Sequence, residues 1–343
     1  MLIKNKYTNY LLIAAILILV VNAAVDLITK RKKNINTELE FSKRQLDSIF
    51  LSVLNDFGIE QEWISYSKIK IANEDSIERK VNVKIPVDLP IPLIIKDFNR
   101  KIENDITSFV AEEKYFYGAT EIRIYSNEYL KLLIELIPDE KIIRKRNELC
   151  FVISDVFDLS ENDFNSFLSI PYKLTAAVVP DEEVASKLYK LANYSKEYIV
   201  LINDDIEDSQ FKLDPKSHKY ILKNSIKNIA SVFSGAKIFV VDESSDLFKS
   251  TTYNFIRDEF KKRNITLIHL SEFIHLTNDD EIELNSKFKF YAEDKSGDNQ
   301  KIFYIPFDNF IKIKGEFDKM RKKGNKIVPI SSTYLIEKSL AIK

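Results

Sequence analysis

Short apolar runs separated by helical stripes fill residues 147–343, and this alternation restricts the fold more than any other feature of the chain. The runs are Leu149–Ile153, Leu174–Val179, Tyr198–Ile202, Ile238–Val241, Ile265–Ile268 and Ile327–Ile330. Between them, Val184, Leu188 and Leu191, then Tyr253, Ile256 and Phe260, then Phe307, Phe310, Phe317 and Met320 recur at three- and four-residue steps. A run that is apolar throughout, such as LCFVI at 149–153, is expected of a strand covered on both faces. Repeated βα units therefore predict a parallel sheet or barrel with helices outside, and function at the C-terminal ends of the strands. Ser154, Asp155, Asp181, Asn203, Asp204, Asp205, Asp242 and Glu243 stand at those ends, where carboxylates can converge on a divalent cation or simply cap loops and helices. Ser154-Asp155-Val156-Phe157 holds no glycine, which argues against a dinucleotide-type phosphate loop after the first strand.

Residues 35–146 show a different rhythm. Phe41, Leu46, Ile49, Phe50, Val53, Leu54 and Phe57 form a helical stripe that Gly58 can cap. A strand is expected at Lys68–Ile71, and Val81, Val83, Ile85, Val87, Leu89 and Ile91 alternate as a second strand, extended by Pro86, Pro90 and Pro92. A second helical stripe runs through Phe98, Ile102, Ile106, Phe109 and Val110, with further strands at Glu121–Tyr125 and Leu130–Ile137. The order predicts a small α+β domain, one sheet covered by two helices, suited to packing and protein interaction.

Ahead of both, residues 1–34 contain YLLIAAILILVVNAAV at 10–25, nineteen residues when extended to Ile28, with Lys4 and Lys6 before it and Lys30-Arg31-Lys32-Lys33 after it. This reads as a single membrane-spanning anchor, with a cleaved signal peptide as the rival, and the flanking charges leave its orientation open. A net charge of −1 gives no basic field for nucleic acid, the single Cys150 excludes an internal disulfide, and His218, His269 and His275 offer little for a histidine-rich metal site.

Ile153-Ser154-Asp155, then Pro171-Tyr172-Lys173-Leu174-Thr175-Ala176-Ala177-Val178-Val179-Pro180, then Glu197-Tyr198-Ile199-Val200-Leu201-Ile202 resemble, in order and spacing, the opening of the divergent polysaccharide deacetylase family. The resemblance implies an α/β fold with an irregular (β/α) barrel of the polysaccharide-deacetylase type over 147–343. It also implies an envelope location, outside the cytoplasm, and relatives acting on acetylated glycans through a metal held by an Asp and two His. Carried over, Asp155 takes the place of the metal-binding carboxylate and Ser154 that of the base, which a serine cannot serve. The two ligand histidines fall on Leu201 and Phe239, and Val328-Pro329-Ile330-Ser331-Ser332 replaces a late Gly-His-Pro segment. The expectation is a domain that has lost catalysis, with Asp155 as a vestige, no cofactor and no resident metal. It would bind an envelope glycan or an envelope protein partner and no nucleic acid. Two other readings stand beside it: an active metal-dependent deacetylase rebuilt on Asp155 with Asp204 or Asp242, and an assembly scaffold docking through 35–146.

Overall fold

The structure is a computed structural model that describes residues 40–341 except 70–76, 78, 105–106, 127, 145, 279 and 295–298. The chain separates into two compact units between Arg144 and Lys145.

In the first unit, helix α1 (Lys43–Asp56) starts on a capping box in which the Ser42 hydroxyl accepts from Gln45 N–H and the Gln45 side chain returns the bond to Ser42 N–H. It stops at Gly58, whose φ of 69° lets the chain turn while Ile59 N–H reaches back to Leu54 O. Strands β1 (Ile64–Lys68) and β2 (Arg79–Pro86) follow, then helix α2 (Ile91–Ile102), then β3 (Thr107–Glu113), β4 (Thr120–Ser126) and β5 (Tyr129–Asp139). The sheet order is β1-β2-β5-β4-β3, with only β2 and β5 parallel. Leu46, Phe50, Val53, Ile94 and Phe98 from the helices pack on Val81, Val83, Ile122, Ile134 and Leu136 from the sheet.

Two expectations fail here. The alternation was expected to run to Ile91, but β2 ends at Pro86 and a helix begins at Ile91 with Pro92 in its first turn, where the missing N–H costs no bond. The stripe expected through Val110 breaks after Ile102, because residues 107–113 pair along β4 and place Phe109 against Phe98 as a strand residue. Long-range pairing overrides a local periodicity that fits both forms.

The sheet face away from the helices carries a charge cluster. Glu121 and Glu135 are direct cross-strand partners, a destabilising pairing by itself. Lys80 bridges them at 3.4 and 2.9 Å, and Lys114 and Arg123 close the cluster. Burial opposes the charge on Glu121, but Arg123 and Lys80 outweigh it, and Lys114 and Lys80 hold Glu135 below the usual carboxylate range as well.

The second unit is the α/β part. Its elements are β6 (Glu148–Ser154), α3 (Glu161–Ser169), β7 (Thr175–Val178), α4 (Glu182–Asn193), β8 (Glu197–Ile202), α5 (Lys219–Val232), β9 (Phe239–Val241), α6 (Asp246–Lys249) and α7 (Tyr253–Lys261). They continue with β10 (Leu267–His269), β11 (Ile274–His275), α8 (Glu281–Glu293), β12 (Gln300–Pro306), α9 (Phe307–Lys312), α10 (Lys314–Lys322), β13 (Lys326–Ile327) and α11 (Tyr334–Ala341). All pairings are parallel, in the order β10-β9-β8-β7-β6-β12-β11, with β13 beside the start of β6.

Alternate residues divide each strand between two cores. Phe151, Ile153, Val178, Val200, Val241 and Phe303 face the helices. Cys150, Val152, Ala177, Ile199, Leu201, Val240, Ile268 and Ile302 fill the concave side, together with Ile330 and Leu335 from the C-terminal segment. Ser331 bonds Glu197 at the start of β8, so this segment closes the end of the curl where the strands begin.

The expected barrel is an open, curled half-barrel: β10 and β11 are its free edges. The transmembrane helix expected at 10–28 is corrected as well. No helix among the described residues is long and apolar enough to cross a membrane. The longest have 14 residues, about 21 Å of helix against a hydrocarbon core of about 30 Å. Residues 10–28 themselves lie outside the described residues, and the single-pass, membrane-anchored, extracytoplasmic placement that rested on them is dropped.

The Glu121–Glu135 pair yields a test. Lys80→Met is expected to destabilise the first unit by about 1–2 kcal/mol at pH 7. Because both carboxyls are held low, their contribution is present above the unfolded-state value and lost as pH falls through the folded-state value. The gap between wild type and Lys80→Met in urea midpoints is therefore expected to close as the solution is acidified below about pH 4.

Candidate functional site

A cavity of about 900 Å³ opens where the strands of the half-barrel end. Its floor is apolar, with Ala177 and Leu201 from the concave core and Leu270 from the connector between β10 and β11. Its walls are the loops after β6, β7, β8 and β9, carrying Asp155, Asp181, Asp205, Asp242 and Glu243. Lys187 and His275 are the cationic or titratable counterweights in the lining, so the cleft is acidic.

Asp155 takes a left-handed conformation, φ 58°, at the residue after β6, one that a short carboxylate side chain tolerates better than most. It accepts a hydrogen bond from buried Ser154 at 3.1 Å. Tyr304, from β12, shares the Ser154 hydroxyl and lies 5.4 Å from the His275 ring. Burial, then the nearby charge of Asp155 and more weakly of Asp242 and Asp205, pushes the Tyr304 phenol up to about 12, against the Ser154 hydrogen bond. It therefore serves as a neutral hydrogen-bonding group at the cleft wall throughout the ordinary pH range.

The other sequence candidates disperse. Asp204 turns away to cap α6, accepting from Asp246 N–H at 2.6 Å and Leu247 N–H at 2.9 Å. Asp242 stays at the cleft wall, with one of its oxygens, Oδ1, taken up by Ser244 through N–H and hydroxyl at 2.8 and 2.7 Å. Leu201 does line the cleft, but Phe239 belongs to the opposite, helix-facing layer, 5.9 Å from Phe260. A histidine at 239 would point away from Asp155; the concave residue there is Val240. Residues 328–332 lie at the closed end, not the cleft. His218 is exposed at the start of α5, and His269 bonds Glu243 at 3.0 Å on the Phe248 side of the sheet. Among the described residues no three His, Cys, Asp or Glu side chains are disposed to hold a metal ion.

Sequence reasoning missed Tyr304. The run Ile302-Phe303-Tyr304-Ile305 followed by Pro306 has the same signature as the other strands, but it sits against the Phe307 and Phe310 stripe and reads as part of it. Glu243 was seen only as one acid in a row. Its carboxylate gathers Ser271 N–H at 3.2 Å, the Ser271 hydroxyl and His269, and so ties the loop after β9 to the β10–β11 connector. Burial works against its ionisation, yet these donors hold it below the usual range.

No family model matches the chain. A putative BTB/POZ domain-containing protein of Acanthamoeba polyphaga mimivirus is 25% identical over 265 residues, 71% of this chain and 50% of that protein. The chain thus spans about half the length of that curated relative. Among solved structures, an uncharacterized protein from Agrobacterium tumefaciens C58 is similar over 55% of this chain and 89% of its own, at 12% identity and a TM-score of 0.38. Neither likeness assigns an activity.

Removing the Glu243 carboxylate leaves Ser271 N–H, which is exposed, to water and frees the connector. Glu243→Ala is expected to lower stability by about 0.5–1.5 kcal/mol. Amide exchange at Ser271 and Phe273, followed by NMR or mass spectrometry, is expected to accelerate more than exchange in β6.

Proposed function

We propose that the strand-end cleft of the second unit binds a hydroxyl-rich, glycan-type ligand without transforming it. The observation that carries this reading is the cleft itself. A cavity of about 900 Å³ is within the range of small-ligand sites, and it sits where parallel sheets place their ligands. Its apolar floor of Ala177, Leu201 and Leu270 suits the C–H faces of a sugar ring. Tyr304, Ser154 and Asn203 offer neutral hydrogen-bonding groups, and Asp155, Asp205 and Asp242 are acceptors for sugar hydroxyls. The same carboxylates disfavour anionic ligands, which would enter against like charge.

The non-catalytic part of the reading rests on Leu201. It occupies the cleft floor where the deacetylase resemblance calls for a metal-binding imidazole, and an isobutyl group has no lone pair to offer. The dispersal of Asp204 and the outward face of Phe239 give no support to a rebuilt acidic metal site.

Titration calorimetry against neutral oligosaccharides, N-acetylated and unacetylated, and against a polyuronate tests the proposal. Binding to a neutral member, at least about tenfold weaker in Tyr304→Ala and absent for the polyuronate, is expected, since losing one hydrogen-bonding contact at the wall costs about 1.4 kcal/mol or more. Acetate release from an acetylated glycan that stops on chelation overturns the reading, as does failure of every neutral oligosaccharide to bind.

A further inference from the structure

We propose that the strand-end cleft selects a ligand carrying a primary ammonium group, as a glycan with free amino groups does. This inference rests on the reading of the cleft as a site for a hydroxyl-rich ligand and adds the charge of that ligand. Eight carboxylates line the cavity of about 900 Å³, against Lys187 and His275. The lysine of the lining is spent, because its ammonium lies 2.5 Å from Glu183, one turn earlier on α4. His275 directs Nε2 to Leu270 O at 3.1 Å. Of the acids, Asp181 is engaged by the first turn of α4, and Glu243 by Ser271 and His269. Asp158 and Glu207 add exposed charge to the lining.

Asp155, Asp205 and Asp242 remain, and their charges meet at one group. Each commits one carboxylate oxygen to a neutral donor: Asp155 to the Ser154 hydroxyl at 3.1 Å, Asp205 to Asn203 Nδ2 at 2.5 Å, and Asp242 to Ser244. Among the described residues none of the three has an ion pair, and Asp155 Oδ1, Asp205 Oδ1 and Asp242 Oδ2 accept no hydrogen bond. They follow β6, β8 and β9, so three loops bring negative charge toward the Tyr304 phenol on β12, which burial and then these charges keep neutral. The apolar floor of Ala177, Leu201 and Leu270 strengthens the field in the cleft. A cation completes this arrangement, and the spacing chooses its kind. No three His, Cys, Asp or Glu side chains among the described residues are disposed to hold a metal ion, which needs several oxygens within about 2.6 Å of one centre. An ammonium has three N–H donors that point apart, each reaching an acceptor about 2.7–2.9 Å away. It can therefore be shared by carboxylates that do not converge on one point. On a sugar ring the amine sits beside hydroxyls, for which Tyr304, Ser154 and Asn203 are the neutral partners, and the C–H face of the ring has the apolar floor.

An acetyl group on the nitrogen removes the charge and keeps the sugar, so it makes the test. Full-length protein, in a mild non-ionic detergent on account of the apolar stretch 10–28, is titrated calorimetrically with a glucosamine tetramer and with its fully N-acetylated counterpart. The buffer is at about pH 6, where an α-amine is protonated and ordinary carboxyls are ionised, and contains EDTA and little salt. The amine tetramer is expected to bind at least about tenfold more tightly, the difference between a charge-assisted and a neutral hydrogen bond. That ratio is expected to fall severalfold between about 20 and about 200 mM salt. The net charge of the whole chain is −1, so the preference reports the cleft rather than an overall field. Asp155→Asn keeps the size of the side chain and tolerates the φ of 58°, and together with Asp205→Asn it is expected to bring the ratio close to one. Equal affinities in the wild type overturn this inference and leave the hydroxyl-rich reading standing, whereas no binding of either tetramer removes both. A pentalysine peptide that binds as tightly as the amine tetramer overturns it too, since charge without a sugar would then suffice. So does an amine tetramer that binds only when EDTA is replaced by magnesium or manganese. Should the asparagine variants unfold, the wild-type comparison decides alone.

Discussion

The second unit depends on one short piece of chain. β10 and β11 are the two free edges of a seven-strand path, yet only Leu270–Phe273 separate them in sequence. A flat sheet of that many strands would hold its edges about 29 Å apart, and the connector spans at most about 18 Å. The sheet has to curl, and curling creates a concave side with its own core. The C-terminal segment closes that core where the strands begin, through Ile330 and Leu335, and the other end stays open as the cleft. The Glu243 bonds to Ser271 and His269 hold the connector to the loop after β9, so the link that bends the sheet also forms a wall of its cavity.

The first unit answers a different constraint. Its helices cover one face of an antiparallel-rich sheet, and the other face is stabilised by charge. Glu121 and Glu135 would repel across the strands, and Lys80, Lys114 and Arg123 turn that repulsion into a network. The edge strand β3 joins this network through Glu112, 3.4 Å from Arg123.

Much of the cleft was legible in the sequence because parallel strands end in loops that gather polar residues. Asp155, Asp205, Asp242 and Leu201 do line one cavity. What failed were statements that needed the direction of a single side chain. Phe239 and Val240 are neighbours, and the two-residue period of a strand sends them to opposite faces, so an offset of one in a distant resemblance reverses the meaning of the position. Asp204 and Asp205 split the same way, one capping α6 and the other facing the cavity. Tyr304 was hidden because β12 runs straight into α9 at Pro306, with no polar loop to mark the change of period.

By itself the sequence determined the two-part organisation of apolar periodicity, the repeated βα units, and the placing of polar residues after apolar runs, because these follow from local spacing and burial. Tertiary structure decided the order of the strands, the insertion of β12 beside β6, the curl, and the reading of residues 107–113 as an edge strand. Each of those depends on pairing between segments far apart in the chain, and local periodicity carries no information about which distant partner is near.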